Sequence, residues 1–359
     1  MSYRRPKARF RAKENVKRDK GKSSLLSPST LFSRISDGIK PINSYTGTDV
    51  SSWQQSSRRT LKELLKYDEP KCAEQIESIW RAKDKVAEYE KIWLERPYQA
   101  IPAYFCLPYS QKVRDKWLIC LQGHTTGMHI SIGVNQGDES KWIDATGSRD
   151  FALWGLSNNL SVMCLEVMSL GERQEDELSF THDHPCQDAA LHSLVLGRTL
   201  LGERLVDIAA AAKFLRNKFG HGISIGVLGN SLGGTLALYA AALLDDVNFA
   251  ILSSCICSYK ESLLRRSGRH CIDLYIPSLM KHFECGDVLG LAAPKPLVIS
   301  HGVNDGLFPL KGFSEAFCSG RAVYRKIDAE HRYRLALGYG GHRFYANESY
   351  TEFRKLDIS

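Results

Sequence analysis

Apolar positions recur at two different spacings along the chain, and the change from one to the other divides it. Between residues 57 and 85 they fall at helical spacing, first Leu61, Leu64 and Leu65, then Ile76, Ile79 and Trp80. Asp68-Glu69-Pro70 interrupts them, so the pattern predicts two short helices that pack on the main domain. Residues 88–93 and 101–107 are β-like runs on either side of Arg96-Pro97-Tyr98 and predict an opening hairpin. From about Trp117 onward, short apolar runs alternate with helical patterns. Strands are expected over 117–122, 160–167, 223–228, 248–257, 295–302 and 333–339. Between them lie an amphipathic segment at 151–156 and a long helix at 198–219, with Leu200, Leu201, Leu205, Ile208, Ala212 and Leu215 on its inner side. A small-residue helix is expected at 236–244. Such alternation implies an α/β fold: a mainly parallel sheet with helices on both faces and a ligand site at the carboxyl ends of its strands. Residues 258–290 break the rhythm with Arg265, Arg266, His270, Tyr275 and Pro277, and are expected to form a small cap over that site.

The charge of +8 over 359 residues changes meaning once it is located. Ten Lys and Arg side chains within residues 1–22 face only Glu14 and Asp19, so this stretch carries the whole excess and the remainder is neutral. With few apolar residues, the arm is expected to be disordered and to bind an acidic partner weakly, or to bind nothing. The expected organisation is therefore a basic arm and linker over 1–52, N-terminal helices over 53–90, and the main domain over 91–359 with its cap at about 258–290. Order is expected to begin near Trp53. No apolar run is long enough for a membrane span, and residues 1–22 lack the apolar core of a secretory signal, so the expectation is a cytoplasmic protein. The Arg and Ser content of the arm also fits organelle targeting. Ten scattered cysteines, among them Cys120, Cys164 and Cys255 inside predicted strands, read as reduced and buried. Cys255-x-Cys257 has the wrong spacing for zinc, and Thr181-His182-Asp183-His184-Pro185 has two histidines without a third ligand at suitable spacing; no metal site is expected, and the latter reads as a loop lining the site.

The chemistry concentrates in Gly229-Asn230-Ser231-Leu232-Gly233-Gly234, which joins an apolar strand to the small-residue helix. A Gly-x-Ser-x-Gly turn in that context lifts a serine hydroxyl off the sheet, with Leu232 N–H beside it as an oxyanion donor. Ser231 is the expected nucleophile. A serine hydroxyl needs a base, and the base needs an orienting acid. Asp305, in the turn after the 295–302 strand, is the expected acid, with Asp328 as substitute. His342, behind Gly340-Gly341 and after the last strand, is the expected base, with His301 and His331 as competitors. The second oxyanion donor is expected from the loop after Gln122-Gly123, at His124 or Thr125. No Walker loop or dinucleotide fingerprint is present, and acyl transfer of this kind uses no cofactor.

Those motifs resemble the α/β-hydrolase family, and within it the acetylxylan-esterase and dienelactone-hydrolase-like branch. Beyond the serine turn, Asp305 and Gly341-His342-Arg343-Phe344, the similar segments are Ile101-Pro102-Ala103-Tyr104, Gly197-Arg198-Thr199-Leu200-Leu201-Gly202, and His270-Cys271 with Tyr275-Ile276-Pro277. The resemblance implies hydrolysis of small esters, often acetyl esters, through an acyl-serine. Two positions depart from it: Gln122-Gly123 stands where many relatives have His-Gly, and Ser231 stands where dienelactone hydrolases use cysteine. A prolyl-oligopeptidase-like peptidase or amidase is a second reading. A catalytically silent scaffold serving as a binding module is a third.

Overall fold

The computed structural model describes residues 27–110, 115–124, 126–175, 186–265 and 270–358. The basic residues 1–22 and the histidine pair at 182 and 184 therefore lie outside the described residues. The chain divides into two compact units, the first ending at Ile39 and the second running from Lys40. In the first, helix α1 (Pro28–Asp37) carries its proline at the start, where no intrahelical N–H is lost.

The second unit opens earlier than the apolar pattern suggests. Helix α2 (Val50–Leu65) is capped by Asp49, whose carboxylate accepts the Ser52 N–H at 2.8 Å, and it buries Val50, Trp53, Ser57, Leu61 and Leu65 at helical spacing. Trp53 Nε1 donates to the Asn43 carbonyl at 2.8 Å, so order extends upstream of Trp53.

The second predicted helix is instead an edge strand, β1 (Glu74–Lys83), antiparallel to β2 (Ala87–Arg96). Two register shifts, between Gln75 and Glu77 and between Ser78 and Trp80, explain the misreading. Each inserts an extra residue, so Ile76, Ile79 and Trp80 lose strict alternation and mimic a helical period. The predicted hairpin forms, with β2 antiparallel to β3 (Gln99–Pro108).

The chain then continues through β4 (Lys116–Leu121), a small hairpin of β5 (Val134–Asn135) and β6 (Asp138–Trp142), α3 (Phe151–Ser157) and β7 (Ser161–Leu165). Next come α4 (Gln187–Val195), α5 (Leu200–Phe219), β8 (Ser224–Asn230), α6 (Leu232–Leu243) and β9 (Phe249–Ser253). After α7 (Leu279–His282) and α8 (Cys285–Leu291) come β10 (Leu297–Gly302), α9 (Leu310–Lys326), β11 (Tyr333–Gly338) and α10 (Ala346–Phe353).

Nine strands form one sheet in the order β1-β2-β3-β7-β4-β8-β9-β10-β11, parallel from β7 onward. The chain moves from β4 to β7 on one side and later to β8 on the other. This reversal opens a crevice at the carboxyl ends of β4 and β8.

Side chains alternate across β4: Trp117, Ile119 and Leu121 join the core beneath α2, α5, α6 and α8, while Leu118 and Cys120 face Phe151 of α3 and Tyr350 of α10. The cap is smaller than 258–290 suggests. All of α8 is buried, Gly290 sits against Trp53 and Val323, and among the described residues of this segment only those from His270 to Leu274 reach the cavity. Eight of the ten cysteines are buried, Cys72 is intermediate and Cys318 exposed, and all ten are free thiols. Among the described residues no helix is long and apolar enough to cross a membrane.

Candidate active site

Ser231 occupies the junction of β8 and α6 with φ 56° and ψ −116°, a backbone region that a non-glycine residue enters only under constraint from its surroundings. Its N–H donates to Ser253 O on β9 at 2.8 Å, and its carbonyl accepts the Thr235 N–H at 2.9 Å. The Ser253 hydroxyl donates to Asn230 Oδ1 at 2.8 Å and ties the preceding residue to the same strand. Glycine is required on both sides for space. A Cβ on Gly229 would stand 2.0 Å from Gly233 O, and one on Gly233 would stand 2.2 Å from Leu121 O. The first turn of α6 therefore lies directly on the end of β4, and Leu232 N–H, at the positive end of that helix, is one of its orphan donors.

Asp305 lies after β10 and is held by its own turn. Its Oδ1 accepts the N–H groups of Leu307 at 2.8 Å and Phe308 at 3.0 Å, and its Oδ2 stands 2.8 Å from His342 Nδ1. Burial opposes ionisation of this carboxyl, but the bond from His342 and the two amides outweigh it, and its pKa lies below the ordinary carboxylate value. His342 leaves β11 through Gly340-Gly341. Asn304 N–H donates to Gly340 O at 3.0 Å and the Tyr345 hydroxyl to Gly341 O at 2.8 Å, which fixes the loop. The ring stacks on Phe308 with centroids 5.7 Å apart. The Asp305 side chain is fully buried while that of His342 is 24% exposed, so the imidazole has one edge on the acid and the rest toward the cavity.

That cavity, about 370 Å³, is lined by Ser231, Leu232, Gly123, His124 and His342, with Arg149, Leu274 and Phe308 in its walls. Gln122 sets the oxyanion side. Its Nε2 donates to Ser131 Oγ and to the Arg149 carbonyl, both at 2.7 Å, so the residue that departs from His-Gly anchors the loop from below. A Cβ on Gly123 would come within 3.1 Å of Asn230 O and 3.6 Å of Ser231 Cβ, which measures how closely this loop approaches the serine. His124 lines the cavity, and Thr125 lies outside the described residues. A wider groove of about 1010 Å³ along α2, flanked by Arg58, Arg59 and Lys62, contains none of the predicted site residues.

The alternatives to the acid and base stand elsewhere. His301 is buried on β10, stacked on Phe313 at 3.9 Å, and among the described residues neither ring nitrogen has a hydrogen-bond partner; burial pushes its pKa down to about 4. His331 and Asp328 are exposed near the turn before β11.

Two supporting groups escape sequence reading. Glu166, just after β7, is buried and accepts N–H groups from Met128 at 3.0 Å and Glu172 at 3.1 Å; burial raises its pKa to about 7. An acidic residue closing an apolar strand run was the available signal. The buried pair Arg204 and Asp273, 2.6 Å apart, joins α5 to the segment over the cavity, and no local pattern announces it.

No family model matches the sequence. YtaP of Bacillus subtilis (strain 168), a protein named as a hydrolase, is 30% identical over 247 residues, covering 68% of this chain and 79% of YtaP. Among solved structures, a Bacteroides fragilis NCTC 9343 protein described as an acetyl xylan esterase superposes with a TM-score of 0.71 at 17% identity, covering 88% of this chain and 82% of that one. The glucuronoyl esterase of Solibacter usitatus gives a TM-score of 0.59 at 14% identity over 88% and 97% of the two chains. At such identities these structures establish the fold, while YtaP establishes kinship, and the chain belongs to the α/β-hydrolase family.

Proposed function

We propose that the protein is a serine esterase that cleaves small carboxylic esters, acetyl esters foremost, through an acyl-enzyme on Ser231. The observation that carries this reading is the convergence on one small cavity of the strained Ser231, of His342 bound to Asp305, and of Gly123 at the end of β4. The esterase descriptions of the solved relatives and the hydrolase name of YtaP support it.

In this mechanism the Ser231 hydroxyl oxygen attacks the ester carbonyl carbon and His342 Nε2 takes its proton. Asp305 keeps the other proton on Nδ1 and stabilises the imidazolium. Negative charge on the former carbonyl oxygen is met by N–H groups of Leu232 and of the loop at His124 or Thr125. Collapse expels the alcohol, which receives the proton from His342. Water then attacks the acyl-serine with His342 again as base, releasing the acid and restoring the hydroxyl. The Leu274 and Phe308 walls give the acyl group an apolar surface to pack on.

The test is intact-protein mass after fluorophosphonate treatment, with initial rates on p-nitrophenyl acetate, butyrate and octanoate. One adduct per chain, lost in Ser231→Ala, with acetate turned over fastest, is the expected result. A folded protein that takes no adduct and turns over no ester would remove the enzyme reading and leave the scaffold reading. Preference for octanoate would remove the small-acyl assignment.

A further inference from the structure

Three side chains from distant stretches meet beside the cavity. His124 belongs to the loop after β4, Cys186 immediately precedes α4, and Cys271 lies in the segment crossing the cavity. One ligand atom from each falls within 4.8 Å of the others. His124 and Cys271 line the cavity, while Cys186 is buried behind them. Beneath the two sulfurs lies Arg204: its Nη2 donates to Cys186 Sγ at 3.0 Å, its Nη1 to Cys271 Sγ at 3.8 Å and to Asp273 Oδ2 at 2.6 Å.

We infer that His124, Cys186 and Cys271 form a binding site for a thiophilic divalent cation, Zn²⁺ foremost, with water from the cavity as fourth ligand. Two sulfurs and an imidazole are a soft donor set, which selects zinc over magnesium or calcium. A tetrahedral ion with Zn–S bonds of about 2.3 Å holds its sulfurs roughly 3.8 Å apart, so shifts of about 1 Å close the site. Charge also balances. Arg204 and Asp273 cancel each other, and two thiolates cancel the cation, so the buried cluster is neutral once the ion is bound. Binding two thiols releases two protons to solvent, one from each sulfur. The guanidinium bonded to Cys186 is the outer partner that orients that ligand. Occupancy would join the loop after β4, the start of α4 and the Cys271 segment through one atom. The inference goes beyond the esterase reading and does not depend on it.

The decisive experiment uses the reduced full-length protein, stripped with chelator and titrated under inert gas with Co²⁺ and then Zn²⁺. One Co²⁺ per chain is expected, with the visible bands of a tetrahedral ion and a near-ultraviolet thiolate-to-metal band, both abolished by Zn²⁺. Cys186→Ser and Cys271→Ser should each weaken Co²⁺ binding at least tenfold and reduce the thiolate band, while Cys318→Ser and Ser231→Ala leave both unchanged. No thiolate band in the wild type, or bands that persist in both cluster variants, would overturn the site. If those variants fail to fold, X-ray absorption on zinc-loaded wild type decides: two sulfurs with nitrogen or oxygen ligands support the site, and four sulfurs or none overturn it.

Discussion

Asp305 meets His342 with one carboxylate oxygen at 2.8 Å and spends the other on the amides of Leu307 and Phe308, so it cannot rotate without breaking three bonds. The acid thus fixes the orientation and the tautomer of the imidazole together. Asp305→Asn keeps the shape but offers an amide N–H or a neutral oxygen where a carboxylate stood. Ester turnover should fall on the order of 10³- to 10⁴-fold in kcat with KM little changed, as read from steady-state kinetics. A kcat equal to wild type would remove Asp305 from the machinery.

Ser231 keeps an unfavourable backbone because Ser253 O and the first turn of α6 hold it there. Glycine at that position removes the clash of Cβ with the backbone, while alanine keeps it. Ser231→Gly should therefore be more stable than Ser231→Ala, on the order of 1 kcal/mol in chemical denaturation, although both lose turnover. Equal stability would show that the strain at this φ is absorbed elsewhere.

The contrast between the serine turn and the sheet edge shows what was legible in the letters. Gly229 and Gly233 could be read because the close approach they permit, to each other and to Leu121, is a local requirement that only glycine meets. The inward face of α5 could be read because a single helix carries it. Strand β1 could not, because its two bulges produce a helical spacing from strand geometry. The start of α2 was also hidden, since a run of Ser and Gln after Asp49 and Val50 resembles linker sequence until the Asp49 cap and the buried Trp53 are seen together. Gln122, Glu166 and the Arg204–Asp273 pair depend on partners as far as 27, 38 and 69 residues away, separations at which periodicity carries no information.

Gly233 offers a strict test of the contact between α6 and β4. A methyl group there would meet the Leu121 carbonyl, a backbone atom that cannot swing aside. Gly233→Ala should cost about 1–3 kcal/mol or more in urea denaturation and should abolish turnover, because the helix must retreat from the loop that faces Ser231. Gly306→Ala is the control, since a Cβ there meets nothing within 4 Å, and it should keep wild-type stability.

His301 predicts an acid limit. Burial depresses its folded pKa to about 4, whereas in the unfolded chain it titrates near 6.5. Between those values the unfolded chain binds a proton that the folded chain refuses. The stability present above pH 6.5 is therefore lost as pH falls, by on the order of 3 kcal/mol down to pH 4. His301→Leu, which can still pack on Phe313, should flatten this slope when unfolding free energy is measured at several pH values. An unchanged slope would assign the acid sensitivity to other groups.

Registration of β4 against β8 places Leu121 opposite Gly229, so the strand ends that carry the serine and the facing loop are locked by backbone pairing rather than by side chains. The walls at Arg149, Leu274 and Phe308 come from three other segments that take no part in that pairing. Exchanging one wall can therefore change what the cavity admits while the pairing that sets Ser231 against the facing loop stays intact.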